Sequence, residues 1–325
     1  MLKNIRLRLV LIFIISILII SVGNVECYPN TKPFYKWFYV GGDGPGNYTE
    51  IQDAVDNASN GDTIYVYHGI YNQDPNKLQE VRIFKSIHLL GENKNNTILN
   101  GTKAHDVLRL LAGNVEISGF TIQNAGTGDV PGAAIDAYKS DGMGTIKNIS
   151  IHDSIITKND VGMAIADCFN ISIYNNIFIH DGTALSIMSS SNSSITNNYF
   201  INDRTGLFLY YEYTITISHN EFRENTVVGL NYQTCKGLTI HANNFINNKI
   251  QAKFLKSGGL RELRTVKALV QNWTQNYWSD WNSTDPRPIR GTAEIYFGLS
   301  IGLIIPINFH AREYDLNPAQ TPYSI

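Results

Sequence analysis

Asp181 and Asp203 hold the same place in consecutive copies of a recurring phrase, each eight positions after an isoleucine, Ile173 and Ile195. If the chain folds into stacked coils, residues one period apart become neighbours, about 5 Å from each other. Two carboxylates at that separation suit a calcium ion or the close acid pair of a retaining glycosidase. His180, Arg204 and Glu224 flank the same place, so a catalytic reading would draw on Asp181, Asp203, His180, Arg204 and Glu224. A simpler explanation is that Asp and Asn side chains close a turn here, because Asn159, Asn225 and Asn248 recur near the two acids. Asp129, Asp136 and Asp141 form a second, less specific acidic group.

Other residue types offer binding chemistry. The chain has 18 tyrosines, and Tyr174, Tyr210, Tyr211 and Tyr232 fall on strand-like segments. Outward rings on a rigid sheet can stack on sugars while their hydroxyls donate hydrogen bonds, although Tyr is also a good strand former. Lys249, Lys253, Lys256, Arg261, Arg264 and Lys267 face a single Glu262, a local basic run that could meet an acidic glycan or a partner, or simply be solvated. Histidines at 152, 180, 219 and 241 invite a metal reading. His152 and His241 share a coil position but lie four coils apart, ~19 Å. His219 and His241 are offset by one position, which predicts different faces. No metal ligand set emerges, no cofactor is required, and calcium is the ion the acidic pair best suits.

The elements that would carry these residues follow from the repeat. Ile171–Phe178, Ser193–Phe200, Ile215–Phe222 and Leu238–Phe245 are copies of one phrase, with weaker copies at Ile149–Ile151 and Val115–Ile117. The anchors Ile151, Ile173, Ile195, Ile217 and Ile240 keep one constant step, lengthened by a single position at the last. Such a period means a solenoid in which each unit buries its apolar face on its neighbours. Within a copy, β-branched and polar residues alternate, the pattern of a strand. A second strand precedes each anchor, after the small residues Gly162, Ala184, Gly206 and Gly229. Asn176, Asn198, Asn220 and Asn243 recur at one corner, where stacked amides can form a ladder. With right-handed crossovers between parallel strands, the fold class is an all-β, right-handed parallel β-helix.

Residues 38–325 read as one such domain. Thr49-x-x-Gln52, with Asn47-x-x-Glu50 as an alternative, suggests a capping box and a helix over 48–58 whose apolar face plugs the first coil. Enlarged steps, from Ile117 to Ile151 and from Ile240 to Trp273, predict insertion loops at 126–145 and 249–270. An irregular cap is expected over 279–325. Lys3, Arg6 and Arg8 before the uncharged run from Leu9 to Val25 mark residues 1–27 as a signal peptide or membrane anchor. The expected location is therefore extracellular or cell-surface, with membrane contact only through that segment.

Nine Asn-x-Ser/Thr sequons, at Asn47, Asn57, Asn95, Asn100, Asn148, Asn170, Asn192, Asn272 and Asn282, fit a surface glycoprotein but also follow from an Asn-rich composition. Three cysteines make no even framework, and Cys168 and Cys235, three coils or roughly 14 Å apart, are predicted to be free thiols. A net charge of −2 gives no pull toward nucleic acid.

At Gly61-Asp-Thr-Ile-Tyr-Val66, Gly69-Ile-Tyr71, the Asn-Asn-x-Phe coils, Asn276–Trp281 and Asp315–Ile325, the chain resembles the pectin-lyase-like β-helix superfamily. The likeness is strongest to its NosD-type and carbohydrate-binding, sugar-hydrolysis repeat members on archaeal surfaces. That resemblance implies the fold and a carbohydrate or cell-surface ligand, and through NosD a copper-handling role. Polygalacturonase-like motifs (Asn-Thr-Asp, Asp-Asp, Gly-His-Gly, Arg-Ile-Lys) are absent, as is the pectate-lyase Arg-x-Pro-x-x-Arg pattern; Pro286–Arg290 has the wrong spacing. The sequence thus favours a secreted or anchored β-helix that binds carbohydrate or a surface partner without catalysis. The alternatives are a polysaccharide lyase or glycoside hydrolase acting on acidic polysaccharide, and a NosD-like copper accessory protein.

Overall fold

Short alternating strands expose one apolar face each, and the constant coil length lets every coil cover the next. The computed structural model describes residues 35–74, 80–126, 132–138, 144–259, 271–298 and 304–325. They form a right-handed parallel β-helix with three strands per coil, such as Val161–Ala166, Cys168–Tyr174 and Ile177–Ile179. Equivalent strands of successive coils pair in parallel, giving a first, a second and a third stack. In the second stack Ile151, Ile173, Ile195, Ile217, Ile240 and Trp273 pair one after another, all pointing inward.

Two kinds of ladder fill the interior. Phe178, Phe200, Phe222, Phe245 and Trp278 stack with ring centroids 4.9, 4.8, 4.9 and 4.2 Å apart. Beside them each ladder Asn Oδ1 accepts from the backbone N–H and Nδ2 of the Asn one coil earlier. These bonds run from Asn176 through Asn198, Asn220 and Asn243 to Asn276 at 2.9–3.2 Å. The buried turn amides are thereby satisfied without water. Asp315 ends the ladder, its Oδ2 accepting from Asn276 N and Nδ2 and Trp278 Nε1 at 3.0 Å each. The left-handed backbone falls one residue before the ladder positions, at Asn175, Asn197, His219, Ala242 and Gln275.

The ends differ from the sequence reading in detail. The helix spans Ile51–Asn57, shorter than 48–58, and its N-cap Glu50 makes no side-chain cap bond. Asn47 Nδ2 instead donates to Gly41 O, so neither capping box forms. Ile51, Ala54 and Val55 are buried and plug the first coil. The two expected insertion loops each contain a strand of the first stack, Ala133–Ala137 and Ala252–Gly259. Small residues in the first and the Lys-rich pattern of the second hid that pairing in the sequence. The C-terminal region is not irregular: Arg287–Gly298 and Ile304–Asp315 form an antiparallel hairpin that continues the solenoid, Phe254 pairing with Gly291. Residues 1–27, Asp129, Asp141, Arg261, Glu262, Arg264 and Lys267 lie outside the described residues.

Candidate functional site

The structure brings Asp181 and Asp203 together in adjacent coils but encloses both, 3% and 0% exposed. They belong to a second corner ladder: Asp181 Oδ1 accepts from Asn159 N and Nδ2, Asp203 Oδ1 from Asp181 N, and Asn225 Oδ1 from Asp203 N. Burial, reduced by the bonds from Asn159, leaves Asp181 pushed up to about 7. Burial first, then the neighbouring Asp181 charge, pushes Asp203 up to about 9. His180, Arg204 and Glu224 are exposed on the outer side of the same corner. The left-handed backbone at His180 and Glu224 turns successive side chains in opposite directions. A polymer touching His180, Arg204 and Glu224 therefore does not reach Asp181 or Asp203. The pair is a turn-closing device.

The tyrosine candidates also separate. Tyr232 is fully buried, its hydroxyl donating to Glu313 Oε2 at 2.6 Å, so it is a core residue and no sugar platform. Tyr210 and Tyr211 are exposed and meet edge to face at 4.4 Å. His219 and His241, expected on different faces, lie 5.8 Å apart between ring centroids, because the left-handed turn at His219 swings it toward its neighbour. Asp136 faces Arg109 Nε at 3.5 Å and is pushed up to about 6, by burial first and then by Asp106. Among the described residues no group of three or more His, Cys, Asp or Glu is arranged to hold a metal ion.

What the sequence reading missed lies on the outer face of the second stack. Glu116 bridges two imidazoles contributed by the coils on either side. His88 Nδ1 lies 2.5 Å from Oε2 and His152 Nε2 lies 2.9 Å from Oε1. His152 Nδ1 is 2.7 Å from Asp153 Oδ2, and Tyr174 stacks on the imidazole at 4.5 Å. Burial raises the Glu116 pKa, but the bonds from His152 and His88 outweigh it and hold the carboxyl below the ordinary range. Toward the N-terminus the same face carries Trp37, Tyr39, Tyr65 and Tyr67, with neighbouring ring centroids 5.2–6.5 Å apart. Trp37 is 55% and Tyr39 40% exposed, and the parallel pairing of Trp37–Val40 with Thr63–Val66 fixes the rings in a row. The weak copy Val115-Glu-Ile117 already placed Glu116 outward. Its neighbours were hidden because the steps from His88 to Glu116 and from Glu116 to Ser150 are both longer than the regular period.

A right-handed parallel β-helix of this kind is a pectin-lyase-like solenoid. Within that class a family profile described as "Periplasmic copper-binding protein (NosD)" matches residues 55–283, and the chain belongs to the NosD family. That family is described as periplasmic, in keeping with export. No helix among the described residues is long and apolar enough to cross a membrane. Comparison with curated proteins gives no match. Similar solved structures include the pectin methylesterase PemA from Erwinia chrysanthemi, 14% identical, covering 90% of this chain and 91% of that one, TM-score 0.36. XylC in complex with xylose is 12% identical over 74% of this chain and 67% of that one, TM-score 0.44. The enzymatically active domain of bacteriophage CBA120 tailspike protein 2 is 10% identical over 78% and 45%, TM-score 0.43. At these values the likenesses say nothing about activity.

Proposed function

We propose that this chain is an exported β-helix that binds carbohydrate, on its own or on a cell-surface partner, without catalysis. The observation that carries the reading is the row formed by the exposed Trp37 and Tyr39 with the half-buried Tyr65 and Tyr67 on a rigid parallel sheet. Rings held at sheet spacing present flat apolar faces to sugar rings with little ordering cost, and phenol hydroxyls supply hydrogen bonds. His88, Glu116 and His152 continue the face with polar partners for sugar hydroxyls. Neither nucleic acid nor a resident cofactor is part of this reading, and calcium has no assembled ligand set among the described residues.

The test is retention on a panel of neutral polysaccharides by affinity electrophoresis, with reducing ends and unsaturated products assayed in parallel. The expected result is retention that falls about three- to tenfold on removing either Trp37 or Tyr39 by alanine, the worth of one aromatic stacking contact, and no product. Product formation lost in Glu116→Gln would establish the hydrolase or lyase alternative instead. Copper handling is a second reading, favoured by the family description and by the approach of His219 to His241. Copper titration of the full chain and of a His219→Ala/His241→Ala variant tests it. Micromolar or tighter binding that disappears in the variant supports the reading, and identical isotherms sink it.

A further inference from the structure

The outer side of the C-terminal hairpin holds a row of cations that no described residue neutralises. Phe254 pairs in parallel with Gly291, so Lys253 and Arg290, the residues just before them, stand side by side. Arg290 is the direct antiparallel partner of Arg312. Three cations thus occupy adjacent strands in one row, each about 4.8 Å from the next. Like charges placed directly across a strand pair destabilise it, yet none of Lys253, Arg290 and Arg312 forms an ion pair with a described residue. A fold that keeps such a row, in a chain whose net charge is −2, retains it against its own stability.

Lys253 and Arg290 of this row line a cleft of about 600 Å³, together with Lys249, Asp280, Trp281 and Arg287 among others. Arg287 is only 8% exposed. Its guanidinium lies 4.0 Å over the Trp278 ring and donates from one terminal nitrogen to both Asp280 oxygens at 2.9 and 2.8 Å. Its Nε is buried and has no hydrogen-bond partner among the described residues, an N–H donor left unused. Trp281, half-buried at the rim, is tethered by Nε1 donating to Asp285 O at 3.1 Å.

We infer that this cleft is an anion-selective saccharide site that binds the carboxylates of a linear acidic polysaccharide. Cations on adjacent strands, about 4.8 Å apart, form a line of positive charge along which an extended polyanion can lie. Arg guanidinium forks suit planar carboxylates, and Trp281 offers a ring face to one sugar. The site lies at the opposite end of the solenoid from the aromatic row, and neither depends on the other.

Isothermal titration of the full-length protein with tetragalacturonate, and with the same tetramer as its methyl ester, tests the inference. The expected outcome is binding of the acid form at least tenfold tighter than of the ester, weakening with added salt. Lys253→Ala and Arg290→Ala should each lower affinity for the acid form severalfold or more, with Arg290→Lys recovering part of the loss. Thermal unfolding that is unchanged or raised in these exposed-site variants separates lost binding from lost fold. Equal affinity for acid and ester, or variants that bind as the parent does, would overturn the inference. So would dextran sulfate or phosphatidylserine vesicles binding where the tetramer does not. A Trp37→Ala/Tyr39→Ala variant should retain tetragalacturonate binding while losing the neutral polymer, so the two sites fail independently.

Discussion

Replacing Asp203 by asparagine should stabilise this protein, and more so the higher the pH. Asp203 fills a ladder position that Asn occupies in the next two coils. There Asn225 Nδ2 donates to Phe200 O at 3.0 Å and Asn248 Nδ2 to Phe222 O at 2.8 Å. An ionised aspartate has no such donor, and Asp203 Oδ2 is buried without a partner among the described residues. The side chain is accordingly pushed up to about 9, by burial first and then by the Asp181 charge, so the folded chain holds it as the neutral acid at pH 7. An unfolded chain releases that proton near pH 4. Because the folded pKa is raised, the proton penalty is absent below pH 4 and grows as pH rises toward the folded value, at about 1.4 kcal/mol per unit. Over the three units from pH 4 to pH 7 that amounts to roughly 4 kcal/mol of stability lost. Asp203→Asn removes the titration and supplies a permanent donor for the carbonyl one coil back. Urea unfolding of wild type and variant at pH 4.5, 6, 7 and 8 should show a gap that is small at pH 4.5 and several kcal/mol at pH 8. A variant less stable than wild type at pH 8, or an unchanged pH slope, would refute the neutral-acid ladder.

Three further outcomes follow from the interior. Phe222→Ala interrupts the ring stack between Phe200 and Phe245 and should cost about 3–5 kcal/mol in urea unfolding; a loss below about 1 kcal/mol would mean the rings contribute little. Glu313 is fully buried and joins Lys256 Nζ at 2.6 Å, Tyr232 hydroxyl at 2.6 Å and Trp273 Nε1 at 2.8 Å. Glu313→Ala strands a buried ammonium and should lose roughly 3–5 kcal/mol, whereas Glu294→Ala on the outer side of the hairpin should change stability by no more than about 0.5 kcal/mol. Cys168 and Cys235 are buried, with thiols pushed up to about 12 chiefly by burial. In a Cys27→Ser background Ellman's reagent should find no fast thiol at pH 8 and two after denaturation, and rapid native labelling would contradict their burial.

The coil period, the inward row from Ile151 to Trp273 and the free state of Cys168 and Cys235 are legible in the amino-acid sequence. They depend only on a constant step and on strand alternation, both of which are local. Spacing also says that Asp181 and Asp203 are neighbours. It does not say on which side of the wall they stand. That is decided at a corner, where one left-handed residue such as His180 reverses the direction of its successor, a backbone choice that periodicity does not encode. Tyr232 is misjudged for a related reason: its inward position is plain in the strand pattern, but the partner that allows a phenol inside, Glu313, comes from the hairpin 81 residues later.

Where the step departs from the regular period, even neighbours escape the sequence. His88, Glu116 and His152 meet across gaps of 28 and 36 residues, and Lys253, Arg290 and Arg312 meet through a strand and a hairpin that no repeat announces. The sequence by itself therefore determined the solenoid and its buried face, because identical coils must register with one another. Tertiary structure alone decided which polar residues share the outer surface, because insertions lengthen the chain between coils without changing the one strand spacing that separates them.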